Sequence, residues 1–155
     1  MARLDALCLL SDAQAFTATG VSTSSYDIGN ITPNRQIGDG CPLAITVTLD
    51  VAADFTTGNE TYSFEAIQSA SSALTTPTIL ASQAYIASGV LISSLLKVGY
   101  VIVLPIPAGM PLQRFIGFNL TAGGTTPTVT LTAWLGRFAD VAAKPQTYPK
   151  GYTIS

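Results

Sequence analysis

Between Arg114 and Arg137 the chain reads RFIGFNLTAGGTTPTVTLTAWLGR, and its apolar residues recur at every second position. Ile116, Phe118 and Leu120 fall on one side of the first run, with Gly117, Asn119 and Thr121 on the other. In the second run Val129, Leu131, Ala133 and Leu135 share a face, opposite Thr128, Thr130, Thr132 and Trp134. Successive side chains of a β-strand leave opposite faces of the sheet, so this period calls for half-buried strands. The connector AGGTTP supplies two glycines able to take positive φ, and a proline that cannot donate to a ladder. The stretch therefore predicts two strands joined by a turn, with one apolar face and one threonine-rich face.

The same alternation recurs upstream. Leu43–Val51 (LAITVTLDV) is the cleanest case: Leu43, Ile45, Val47, Leu49 and Val51 are predicted inward, and Ala44, Thr46, Thr48 and Asp50 outward. Thr61–Ala70 returns with Tyr62, Phe64 and Ala66 inward, and its phase slips near Ile67, where a bulge would restore it. Thr78–Ala84, Val90–Leu95 and Tyr100–Ile106 complete the set, with a turn near Lys97 and Gly99, while Val21–Ile28 has moderate β character. About eight short strands divided by turn signals, without a strong amphipathic helix, predict an all-β antiparallel β-sandwich or barrel. Eight strands favour a jelly roll.

Residues 21–138 would carry this sandwich, flanked by extended arms. Residues 1–20 are open between a short helix and an arm lying along a neighbour. Residues 139–155 read as an extended C-terminal tail containing Tyr148, Tyr152 and Ile154. Disordered segments are poor in aromatics, so the tail is predicted to lie across another subunit or a partner surface, against the simpler alternative of a disordered end. Gly29–Pro42 (GNITPNRQIGDGCP) reads as a long loop; long loops in compact domains are usually functional, and this one is expected to be a contact loop. Asn30, Ile31, Asn34 and Arg35 are its expected contacts.

Composition narrows the function. At 155 residues the chain is most simply one domain, able to bury roughly 70% of its unfolded surface. Only 10% of residues are charged and the net charge is −2, against about 25% charged in an average protein. Serine and threonine stand in for the missing charges, which predicts a surface that works packed against partners; a β monomer with a neutral polar skin is the alternative. No basic run offers the cationic footprint of a nucleic-acid reader. The N-terminal MARLDALCLLSD lacks the features of a secretory signal, and the apolar stretch from Tyr85 to Leu104 is broken by Lys97 and Gly99, so no membrane span is expected. Cys8 and Cys41 are too few for a disulfide framework; Cys8 reads as a small buried thiol, with a Cys8–Cys41 bridge left open.

Candidate chemistry is sparse. The chain has no histidine, which removes histidine-dependent triads and most catalytic zinc sites. Nine carboxylates always allow an accidental pair, but nothing sets two of them beside an aromatic platform, so no enzymatic activity, cofactor or small-molecule substrate is expected. Asp50, Asp54, Asn59 and Glu60 cluster about one turn without matching a calcium-loop motif, and a solvated turn is the simpler reading. Gly-rich GDG at 38–40 and AGG at 122–124 open no helix and read as turns. Asn30, Asn59 and Asn119 head N-x-[ST] matches of the kind an abundance of threonine produces by chance. Trp134, with Arg137 three residues on, is either an interface anchor or a cap over an open end of the core.

Several stretches carry a likeness to a known family: LLSDAQAFTATGVSTSSYDIG, LAITVTLDV, SALTTPTIL, and VIVLPIPAGMPLQRFIGFNLTAGGTTPTVTLTAWLG. Taken in order over about residues 4–137, they resemble the jelly-roll capsid cement, or decoration, proteins of tailed bacteriophages, the family that includes the Bordetella phage cement protein. Shared with that family is a Pro-x-Pro-x-Gly turn before an arginine or tyrosine and a terminal hairpin. The GNITPNRQIGDG loop and the tail after Phe138 depart from it. The resemblance implies a virion protein on the outer surface of the capsid, made in the host cytoplasm. It would bind the major capsid protein and copies of itself, as homodimer or homotrimer, and bridge neighbouring capsomers. Two other readings remain: a carbohydrate- or receptor-binding module of a fibre or spike, and a building block that forms a shell alone.

Overall fold

The structure, a computed structural model, describes residues 8–29, 42–86, 95–108 and 113–138. Nine strands are placed: β1 (Leu9–Phe16), β2 (Gly20–Val21), β3 (Tyr26–Asp27), β4 (Leu43–Val51), β5 (Thr61–Ser69), β6 (Thr78–Ile86), β7 (Val101–Pro105), β8 (Phe115–Gly123) and β9 (Val129–Arg137). They form two antiparallel sheets. The first has the order β1-β9-β4-β7; the second runs β2-β8-β5-β6, with β3 also on β8. β2 and β3 are two short ladders on one side of β8, so together they fill one strand position. That leaves eight positions in two sheets of four. The chain alternates between the sheets except at β5–β6, which is the connectivity of a jelly roll.

The core lies between the inward faces. Ile45, Val47 and Leu49 of β4 and Leu131, Ala133 and Leu135 of β9 meet Phe64 and Ala66 of β5 and Ile116, Phe118 and Leu120 of β8. Each fully buried Val, Leu, Ile or Phe among them contributes about 1.5–3 kcal/mol relative to exposure. Aromatic rings link the two sheets: Phe16 of β1 meets Phe118 of β8 edge-on at 6.0 Å, and Tyr85 of β6, which also packs on Phe64 of the neighbouring β5 at 5.8 Å, meets Tyr100 just ahead of β7 at 6.3 Å.

Several expectations are corrected here. β8 and β9 are not a hairpin, because they belong to opposite sheets and the AGGTTP segment crosses between them. Two strands that each carry an apolar face can bury both by packing face to face, and that is the arrangement adopted. Leu9–Phe16 is neither helix nor loose arm but strand β1, paired with β9 through two register shifts. The break near Ile67 lies on the neighbouring strand: Ala66 pairs with Ala81 and Ile67 with Ile79, so the extra residue is Leu80 of β6. Ile67 points out of the sandwich and is nevertheless fully buried. Leu74, from the segment linking β5 to β6, lies over this outer face, so close to Gly117 that a Cβ there would stand 2.3 Å from Leu74 Cδ1. Val51, expected inside, is 54% exposed after a register shift that follows Leu49.

The turn near Lys97 and Gly99 is present, with Tyr100 N–H donating to the Lys97 carbonyl at 3.0 Å and Gly99 at φ +83°. Positions 90–94 of the expected Val90–Leu95 strand, Cys41, and the tail lie outside the described residues.

Candidate functional site

Alternating strand directions bring the end of β3, the start of β4, the start of β8 and the end of β9 to one end of the sandwich. Leu43 pairs with Arg137, and the Phe138 N–H donates to the Pro42 carbonyl at 2.7 Å. Asp27 pairs with Phe115, and the Ile28 N–H donates to the Arg114 carbonyl at 2.9 Å. The predicted 30–40 contact loop is therefore attached at Gly29 and Pro42 beside the root of the tail at Phe138.

Among these anchor points lies an open cleft of about 290 Å³, lined by Cys8, Tyr26, Ile28, Leu43, Leu135 and Arg137 with Asp27 and Gly136. Its floor is aliphatic, while its rim carries a phenol, a carboxylate and a guanidinium. The carboxylate is already engaged. Arg114 donates to both oxygens of Asp27, through Nε at 2.9 Å and an Nη at 2.8 Å, and Gly29 N–H adds a third bond at 2.8 Å. The hydrogen bonds from Arg114 hold the Asp27 carboxyl below its ordinary value. Both partners are about half exposed, so the bidentate pair mainly fixes where the chain leaves β3. The Arg114 guanidinium also stands 5.1 Å from the Phe115 ring centre.

At the opposite end the acids singled out from the sequence serve the fold. Glu60 is fully buried and its carboxylate accepts the N–H groups of Thr57, Gly58 and Asn59 at 3.1, 2.9 and 3.2 Å. Burial pushes this carboxyl up, but the hydrogen bonds from Thr57 and the turn backbone outweigh it and leave it below its ordinary value. Asp54 caps Thr56 through its N–H and its hydroxyl, and Asp50 accepts the Thr132 hydroxyl at 2.6 Å. Asn59 exchanges two hydrogen bonds with Thr125. Among the described residues no group of three His, Cys, Asp or Glu side chains is placed to hold a metal ion. No described helix is long and apolar enough to cross a membrane.

Of the contact residues read from the sequence, Arg137 is exposed on the cleft rim, next to both ends of the loop. Asn30, Ile31, Asn34, Arg35, Tyr148, Tyr152 and Ile154 lie outside the described residues. Trp134 is only 8% exposed and belongs to the outer face of β9, level with Leu9 and Thr46. Its ring lies against Gly136, where a Cβ would come within 2.5 Å of Cζ3. The described chain itself covers most of this ring. Sequence reasoning missed Tyr26, Asp27 and Arg114. The Asp-Ile-Gly turn at 27–29 is a local signal, but a bond between residues 87 apart leaves no trace in the sequence pattern.

A family model described as Bbp16, a Bordetella phage protein family, matches residues 10–139. Among curated proteins none matches. The chain belongs to the Bbp16 family, which places it among phage structural proteins associated with the virion.

Proposed function

We propose that this member of the Bbp16 family is a cement protein, which binds the outer surface of the phage capsid and bridges subunits of the major capsid protein. The observation that carries the reading is the gathering of both loop ends, the tail root and Arg137 around one open cleft. A two-sheet body then anchors the ends of several contact segments at one end of the sandwich, which suits simultaneous engagement of adjacent capsomers. Each contact need only be modest, because contacts joined through one body add as effective concentration. The sparse charge supports the same reading, since serine- and threonine-rich surfaces can be covered without stranding ions.

In this role the chain acts by binding, without turnover. Its partners are the major capsid protein and copies of itself, with no nucleic acid, membrane or small-molecule substrate involved. Mixing the purified chain with undecorated shells of the same phage tests the proposal. Saturable uptake is expected, weakened by Arg137→Ala; uptake that never saturates, or none, would remove it.

A further inference from the structure

The backbone ladder of β3 is short. It has two pairs with β8, Tyr26 with Ile116 and Asp27 with Phe115, extended by the bond from Ile28 N–H to the Arg114 carbonyl. β8, by contrast, pairs with β5 over its whole length, Thr61–Ser69 against Phe115–Gly123, and the Gln113 N–H just ahead of it donates to Gln68 Oε1 at 2.8 Å. A firmly paired strand thus stands beside a weakly paired one. The fork from Arg114 to Asp27 joins them where the chain runs on into residues 30–41. Because the pair is about half exposed, water screens it and it adds little to folding stability. Its geometry is nevertheless specific. Two N–H···O bonds from one guanidinium to one carboxylate fix direction as well as distance, and the Gly29 N–H on Asp27 Oδ1 closes the turn that follows. In a chain with only seven basic and nine acidic side chains, two are committed to an arrangement that orients more than it stabilises.

We infer that Asp27 and Arg114 are positioning residues for attachment to the shell: the fork between them sets the direction in which the chain leaves β3, and partner binding depends on that direction although folding does not. The inference rests on the preceding reading, that the chain seats on a shell, and adds which residues aim it there. The pair acts through the backbone it orients, without itself touching the shell. Fork geometry is the working feature, since lysine in place of Arg114 keeps the charge but offers a point contact instead of a planar pair of donors. Breaking the fork leaves β3 attached through its ladder while freeing the exit, so binding then includes the cost of ordering it.

Uptake of the full-length chain by undecorated shells, titrated beside thermal unfolding, tests it. Asp27→Asn, Arg114→Gln and Arg114→Lys should each weaken uptake about ten-fold, with the unfolding midpoint at neutral pH nearly unchanged. The double variant carrying Asp27→Asn and Arg114→Gln should lose no more than either single variant, because the same fork is broken in all three. Two residues that each touched the shell would instead give losses that add. Asp12→Asn, the same change of charge at an exposed position of β1, should leave uptake as it is. Variants that bind as tightly as the unaltered chain, normal binding by Arg114→Lys, additive losses in the double variant, or losses matched by a fall in the unfolding midpoint would overturn the inference. Uptake of the unaltered chain separates the two claims. If shells take up the unaltered chain and the variants alike, only the positioning role falls, whereas no uptake of any chain removes the cement reading with it.

Discussion

Leu74 holds a backbone φ of +55°, a region that non-glycine residues seldom adopt, and its side chain is 3% exposed against Gly117. Packing thus compensates a local strain, and Leu74→Ala should lower stability by about 2–3 kcal/mol in chemical denaturation. Tyr62 has a comparable role at the other end. Its hydroxyl donates to the Asp54 carbonyl at 2.6 Å and accepts the Thr128 N–H at 3.1 Å, tying the β4–β5 connection to the start of β9. Tyr62→Phe removes the first bond and strands the second donor, for a loss of about 1–2 kcal/mol. Trp134→Ala is expected to cost about 3–5 kcal/mol of folding stability, because the ring is packed on the outer face of β9. An unchanged unfolding midpoint with weakened partner binding would instead make that residue an interface anchor.

At the scale of elements, strand existence was the most legible feature. β4 spans Leu43–Val51, the same residues that its alternation marks out, and the AGGTTP turn contains Gly124 at φ +93°. What lies over each face was not legible. Ala44 and Thr46 read as solvent-facing, yet both are fully buried on the outer side of the sandwich. The buried state of Ile67 depends on Leu74, seven residues further on and outside any strand. A period of two reports which residues share a face, and only tertiary packing decides whether that face meets water. The separation of β8 from β9 escaped for the same reason, since each strand alone satisfies the pattern in either sheet. The cleft was partly visible as a loop and a tail, but its shared location depends on the register of Leu43 with Arg137.

The turn elements also give the fold an acid sensitivity. Asp27, Asp54 and Glu60 all have carboxyls held below their ordinary values, through Arg114, through Thr56, and through the turn N–H groups that overcome the burial of Glu60. The unfolded chain then takes up protons at a higher pH than the folded one. Their stabilisation is complete above the ordinary carboxylate range and is lost as pH falls through the depressed values. Thermal midpoints should hold steady from neutral pH down to that range and drop below it. Glu60→Gln and Asp54→Asn should each flatten that drop.

For the whole molecule, the two ends of the sandwich divide the work. One end is tied off by Glu60, Asp54, Asn59 and Tyr62, while the other holds the cleft and the departures of loop and tail. A body closed at one end and open to contacts at the other fits a protein that seats on a larger surface. The most direct measurement is the temperature at which the shells of this phage rupture, with and without the added chain. Rupture at a higher temperature, rising with occupancy until the sites are full, is the result predicted; shells that open at the same temperature with the chain bound would contradict the cementing role.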